Sequence, residues 1–430
     1  MKMKTIKLAI AGLGTVGSNV IKSIEKINKD TNKSNINFDI IGISAANKSK
    51  KRVIDISNYI WFDDAIKLCD LKDCDILIEL IGNQKGLSYE IVKKALKNKI
   101  NVVTANKALL AHHGNELFEL AELNNVKLLF EAAVAGGIPI IKILKNSVFL
   151  NKINNIVGIL NGTTNFILSQ MEENNFSFDD ALKLASEKGY AEADPTNDID
   201  GIDSAHKITL LASLSYGIKI NHINSNHTGI SKIKIEDIKY AIKLGYKIKL
   251  ISEANIIQDK IYINTSPKLV NANTSLANVD GVLNAINIET DHLKSLFIEG
   301  EGAGGAATSS SIMSDIYELS IENNNNSLGY SSSKLVEKNI YESEDIKNPY
   351  YLRLLVKDQP GVLSKITSIL TSKNISIQTI LQLNEDKIDN KIPIILTTYE
   401  TIEKNLKNAI NDINKENFLE NDIISITIHK

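Results

Sequence analysis

The 430-residue chain predicts an α/β protein built from three consecutive units. Three observations carry this. Short β-branched runs alternate with helical stretches over the first third of the chain, the signature of βαβ units and a parallel sheet. From about residue 136 the texture shifts to longer helical stretches mixed with isolated strands, as in an α+β substrate unit. A polar, low-complexity stretch at 322–333 then leads into a segment that reads strand, turn, amphipathic helix, strand.

The elements follow in order. Residues 6–12 form an apolar strand ending in glycine, with a helix from about Val16 to Lys29 behind it. Runs at 38–46, 74–82, 100–110 and 127–137 supply further strands, with helices at Tyr89–Asn98 and near Glu116–Leu123 between them. Helices are expected at Ile138–Phe149, Phe178–Lys188 and Asp203–Tyr216, and strands at 153–160 and 247–256. The expected units are 1–135, 136–320, a linker at 321–345, and 346–430.

Composition narrows the function. Hydrophobic residues make up 43% and charged residues 23%, ordinary for a globular protein with packed cores. Lys plus Arg (49) nearly balances Asp plus Glu (51), for a net charge of −2, so no basic footprint invites nucleic acid or an anionic membrane. No apolar run approaches the length of a membrane span. The apolar run Leu8–Ala11 is too short for a secretion signal. Two sparse cysteines, Cys69 and Cys74, fit a reducing compartment, and a cytoplasmic protein is expected.

Gly12, Gly14 and Gly17 form G-x-G-x-x-G directly after the first strand and at the opening of a helix. In that context the first glycine permits the tight turn, the second lets backbone approach a pyrophosphate, and the third allows close helix packing. The helix N-terminus faces the phosphates, so a Rossmann-type dinucleotide site is expected. An NAD site usually ends its second strand on an acid that holds the ribose 2′-hydroxyl. Here 43–52 has no acid but carries Lys48, Lys50, Lys51 and Arg52, which leans the reading to NADP.

Residues 189–207, "GYAEADPTNDIDGIDSAHK", concentrate Glu192, Asp194, Asp198, Asp200 and Asp203 before Lys207. A calcium loop centred on Gly201 fails, because Thr196 holds its first position and Lys207 its twelfth, where a bidentate glutamate belongs. His206 has no second His or Cys at zinc spacing. As a helix from Asp203, the segment sets Asp203 and Lys207 on one face. Spacing alone is equally satisfied by an exposed ion pair worth about 0.3–0.5 kcal/mol. His206 points about 100° away from Lys207 around the helix, so packing suits it better than acid–base work.

Behind the glycine motif come, in order, "TANKALLA" (104–111), "NGTTNFIL" (161–168), the 189–207 stretch and "EGAGGAATSSSIMSD" (301–315). Together these resemble the homoserine dehydrogenase family, and the final segment resembles the ACT domain of its longer, monofunctional form. The resemblance covers nearly the whole chain, and the linker carries it least. It implies a central substrate and dimerisation domain, a ferredoxin-like ACT domain, and reversible reduction of aspartate 4-semialdehyde to homoserine with NADP or NAD. By resemblance, Lys207 is the proton donor, Glu192 and Asp203 hold the substrate, and Lys107 lies beside the nicotinamide and substrate. Gly12, Leu13, Gly14, Thr15, Val16, Gly17, Thr104, Lys107 and Gly302 are implied at the cofactor. Glu131, Val134, Gly136 and Ile138 are implied at a monovalent-cation (Na⁺) site. Tyr190 and Asn161–Thr164 stay open between pocket and loop-shaping roles.

The chain departs from the family pattern at Ala307-Thr308, where Pro-Thr is usual, and at Gly300-Glu301-Gly302, which sets an acid near the cofactor. In the last segment Asp358 to Gly361 form a Pro-Gly turn whose N–H groups, with Val362 opening the helix, can receive a ligand carboxylate. By resemblance that ligand is threonine, and such modules pair across subunits, so a homodimer or homotetramer is implied. Two rival readings are an amino-acid sensor that has lost catalysis and a different semialdehyde or hydroxy-acid dehydrogenase. The intact Lys107, Glu192, Asp203 and Lys207 weigh against the first, and 161–168 with 189–207 against the second.

Overall fold

Five strands, all paired in parallel, open the chain: β1 (Lys4–Ala11), β2 (Ile36–Ser44), β3 (Ile76–Glu79), β4 (Asn101–Thr104) and β5 (Leu128–Leu129). Their order, β2-β1-β3-β4-β5, places the switch point between β1 and β3, where open α/β sheets bind ligands. Helices α1 (Thr15–Lys29), α2 (Leu87–Lys97) and α3 (Lys107–Leu123) make the crossovers. The strands are nearly continuous in apolar residues because both faces are covered. The computed structural model describes residues 3–30, 35–82, 85–221, 225–321, 326–383 and 390–429. Residues 322–325 of the expected linker, and Met1 and Lys2, lie outside these.

The expected strand at 127–137 is only two residues long. Glu131–Ala133 turn into a 3-10 helix, and Ala135 and Gly136 adopt left-handed φ of 53° and 51°. The expected helix at 138–149 is present over residues 140–147, starting as α4 (Ile140–Lys142) and widening to a π-helix over Ile143–Ser147. One side chain ties the turn to this helix. The Glu131 carboxylate accepts N–H groups of Ile141 (2.8 Å) and Lys142 (3.0 Å), which folds this stretch back on itself.

The central unit contains β6 (Ile153–Ile159), α5 (Gly162–Asn174), α6 (Phe178–Glu187), α7 (Thr196–Ile199) and α8 (Ile202–Tyr216). After these come β7 (Asn226–His227), α9 (Ile235–Lys243), β8 (Tyr246–Ile257), β9 (Lys260–Asn271), β10 (Leu283–Thr290), β11 (Leu296–Glu301) and α10 (Gly305–Ser320). Helix α8 is buried nearly all round, between the sheet and α3. Helix α10 returns to the first unit: Ile312, Met313 and Ile316 join the core of Leu8, Ile10, Val20 and Ile21. The first parallel layer is thus completed by residues distant in sequence.

The last unit holds β12 (Lys347–Asn348), β13 (Tyr350–Lys357), α11 (Val362–Ser372), β14 (Ile377–Leu381), β15 (Lys391–Thr398), β16 (Thr401–Ile402), α12 (Glu403–Ile413) and β17 (Ile424–Ile428). Leu352, Leu354 and Val356 face the two helices, with Ile366 and Ala409 among their neighbours. The opposite face turns to the central unit, where Tyr351 is fully buried. Strand β17 pairs in parallel with β9 through Thr427–Lys268 and Ile428–Leu269, so one sheet of ten strands runs through both units. Among the described residues, no helix is long and apolar enough to cross a membrane.

Candidate active site

The glycine turn sits at the C-terminal end of β1. Gly12 has φ 111°, and a Cβ there would lie 2.5 Å from the Leu80 carbonyl oxygen. A Cβ on Gly17 would meet the Gly12 carbonyl oxygen at 2.1 Å, whereas Gly14 has nothing within 4 Å. The two packed glycines therefore shape the turn, and the open one leaves room for a ligand to approach the protein backbone. A cavity of about 500 Å³ adjoins it, lined by Leu13, Ser44, Asn47, Lys50, Arg52 and Asp63 among others. Thr15 and Val16 begin α1, whose free N–H groups point the same way.

Strand β2 ends on Ser44, not on an acid. Arg52 is largely committed to structure: its guanidinium donates to carbonyls of Leu13 (3.3 Å), Asn47 (2.6 Å), Lys48 (3.1 Å) and Lys50 (2.9 Å). It also lies 5.5 Å from the Trp61 ring centroid. Asp63, an acid at this cavity that the sequence did not single out, accepts the Trp61 indole N–H at 2.8 Å.

At the next strand end, Thr104 donates its hydroxyl to Glu79 at 2.6 Å, so its side chain is engaged within the protein. The buried Glu79 also accepts from Ser88 and the Ile81 N–H, and Ser88 accepts from Asn106. Asn106 then caps α3 by accepting the Leu109 N–H at 3.0 Å. This network fixes where Lys107, the first residue of α3, projects. The signal available in sequence was the acid closing an otherwise apolar strand, ILIE.

Asp203 lies between two lysines. Its Oδ1 is 2.9 Å from Lys107 Nζ and its Oδ2 is 2.7 Å from Lys207 Nζ. Lys207 also donates to the Leu160 carbonyl at 2.6 Å, just beyond β6. Asn161, the N-cap of α5, reaches Asp203 at 3.1 Å and Asp198 at 2.7 Å with one amide nitrogen, while its oxygen caps the Thr164 N–H. The loop-shaping part left open for Asn161 is thus joined to a direct contact with the acid. Burial alone would push the Asp203 carboxyl up, but the two ammonium groups hold it well below the usual carboxylate range. Asp203 in turn holds the Lys107 ammonium up against the effect of its burial. Burial, reinforced by the Asp203 charge, raises Asp198.

Glu192 is exposed and adds its negative charge at Lys107 without a hydrogen bond to it. Asp194 accepts from Thr196 in a local turn. Tyr190 is 43% exposed and packs edge-on against Phe166, while its carbonyl accepts the Thr163 hydroxyl. The His206 ring lies 5.6 Å from that of His112.

Gly302 follows β11, and its carbonyl oxygen would lie 2.4 Å from a Cβ on Gly136. Gly137 N–H donates to the Glu301 carbonyl at 2.9 Å, while the Glu301 side chain is exposed. Ala307 lies against Gly137. The turn that carries Glu131, Val134, Gly136 and Ile138 is therefore docked on the Gly302 loop. Its oxygens do not fit an alkali ion as they stand. Both Glu131 oxygens accept N–H groups, Lys142 Nζ lies 3.4 Å from Oε2, Gly136 accepts the Ser311 hydroxyl, and Ile138 accepts Ile140 N–H.

In the final unit, Gly361 has φ 91° and opens α11, and Val362 is buried at its first position. Asp358 N–H donates to the Asn390 carbonyl at 2.8 Å.

The similarity of this chain to known proteins matches the geometry. Residues 139–317 match homoserine dehydrogenase, 12–131 the homoserine dehydrogenase NAD-binding domain, and 350–418 the ACT domain. The Helicobacter pylori homoserine dehydrogenase is 40% identical over 413 residues, 95% of this chain and 96% of that one. The chain belongs to the homoserine dehydrogenase family. Members are oxidoreductases acting on a CH–OH group, and the NAD-binding match assigns this chain a nicotinamide cofactor. The crystal structure of a homoserine dehydrogenase from Thiobacillus denitrificans superposes with a TM-score of 0.93 at 36% identity, over 100% of this chain and 99% of that one. A hyperthermophilic archaeal homoserine dehydrogenase in complex with NADPH gives 0.62 at 26% identity, over 75% of this chain and 99% of that one.

Proposed function

We propose that this chain reduces L-aspartate 4-semialdehyde reversibly to L-homoserine with NADPH, and that Lys207 supplies the proton. The observation that carries the reading is the buried Asp203 carboxylate, held between Lys107 and Lys207. When bound, the reduced nicotinamide supplies the hydride. An ammonium group has three donors, and Lys207 directs one at Asp203 and one at Leu160. The third is left for the aldehyde oxygen, whose developing negative charge a cationic donor stabilises. Lys107, with one N–H on Asp203 and 40% of its side chain exposed, is placed to orient the same substrate. Glu192, exposed at the rim, and Asp203 hold the substrate through its ammonium.

Support for NADP comes from Lys50 at the cavity beside the glycine turn, the missing acid on β2, and the NADPH bound by the archaeal relative. The ACT unit is assigned threonine-type amino-acid sensing through Asp358, Gly361 and Val362, in a cytoplasmic homodimer or homotetramer. The assay is NADPH oxidation by purified protein with aspartate semialdehyde, with and without threonine. Turnover with NADPH preferred over NADH is the expected result, and absent turnover with either cofactor overturns the reading.

A further inference from the structure

Beside the Glu131 turn lies a buried ionic cluster that the reaction does not use. Lys142 Nζ is paired with Asp315 and lies 3.4 Å from Glu131 and 3.4 Å from Glu318. Lys145 lies 3.5 Å from Glu318, and Lys127 feels the same carboxylate. Three carboxylates thus face three lysines. Asp315 also accepts the Glu131 N–H at 2.8 Å. The cluster bolts the 131–138 turn to α10, and that turn is packed on Gly302. A cation at this point is needed, because breaking a buried ion pair strands an uncompensated charge.

We infer that the Lys142 ammonium is the built-in cation of the Glu131 turn, doing there what a bound alkali ion is implied to do, so that the chain needs none. Lys142 is a positioning residue: it acts on the cofactor through Glu131, Asp315 and the Gly302 loop. The inference rests on the assignment of an alkali-ion site to Glu131, Val134, Gly136 and Ile138. Its melting-temperature readout does not depend on which substrate is turned over. Removing the ammonium leaves the Glu131, Asp315 and Glu318 carboxylates facing the vacated space, oxygen donors suited to a hard cation.

The test compares NaCl, KCl and choline chloride, each at about 100 mM so that general screening is equal. For the wild type, the melting temperature and the cofactor KM stay the same in all three salts. For Lys142→Met, the melting temperature falls and cofactor KM rises about tenfold in choline chloride. Sodium or potassium restores both. Lys142→Arg keeps the charge and stays indifferent to the salt. An alkali-specific gain in the wild type overturns the inference, and that arm stands even if Lys142→Met does not fold. A folded Lys142→Met variant that recovers equally in choline and alkali salts also overturns it.

Discussion

Arg353 and Asp237 form a two-pronged ion pair across the seam between the C-terminal and central units. Nε reaches Oδ1 at 2.7 Å and a terminal nitrogen reaches Oδ2 at 3.0 Å. The Tyr351 hydroxyl joins at 3.1 Å, and the same carboxylate receives the Lys234 N–H at the start of α9. Asp237 is fully buried. Helix α9 packs on α5, whose N-cap is Asn161, so the C-terminal sheet is tied to the element that touches Asp203.

Arg353→Leu strands the buried Asp237 and is expected to cost about 3–5 kcal/mol, read by chemical denaturation. Arg353→Lys recovers little of it, because an ammonium cannot make the planar two-pronged contact. A loss within about 0.5 kcal/mol, the range of a surface substitution, would show the seam to be loose.

The three glycines of the turn separate by what surrounds them. Gly17→Ala must displace the Gly12 carbonyl, so both the melting temperature and the cofactor affinity fall. Gly14→Ala meets nothing in the protein and its φ of −77° suits alanine. It is expected to fold normally and still bind cofactor about tenfold or more weakly, a loss of ~1.4 kcal/mol. Calorimetry beside cofactor titration distinguishes the two variants.

Asp203 sets the pH response. Its carboxyl is held low, so its stabilisation is complete above the unfolded value of about 3.9 and is lost as pH falls towards the depressed folded value. Asp203→Asn removes the main influence that raises Lys107, so that ammonium loses its proton at lower pH than in the wild type. The alkaline limb of kcat/KM therefore moves to lower pH in Asp203→Asn. An unmoved limb would show that Lys107 is not coupled to this carboxylate in the working enzyme.

The sequence announced the parallel sheet and the glycine turn plainly, because G-x-G-x-x-G after an apolar strand is a local pattern. It also placed Asp203 and Lys207 together, since spacing of four on a helix is local too. It missed what depends on chain-distant contacts. Helix α10 completes the first core through Ile312 and Ile316, and no local period reports that partner. Lys107 could be named only from its motif, because α3 meets α8 through tertiary packing. At 127–137 the apolar pattern reads as one strand, but the chain turns at Glu131, whose carboxylate caps the following helix through the Ile141 and Lys142 N–H groups.

The proton-donor role of Lys207 is tested most directly by the turnover of Lys207→Ala with aspartate semialdehyde and saturating NADPH. With cofactor affinity and melting temperature near wild type, turnover is expected to fall by about 10²-fold or more. Turnover within about tenfold of wild type, ~1.4 kcal/mol, would contradict it.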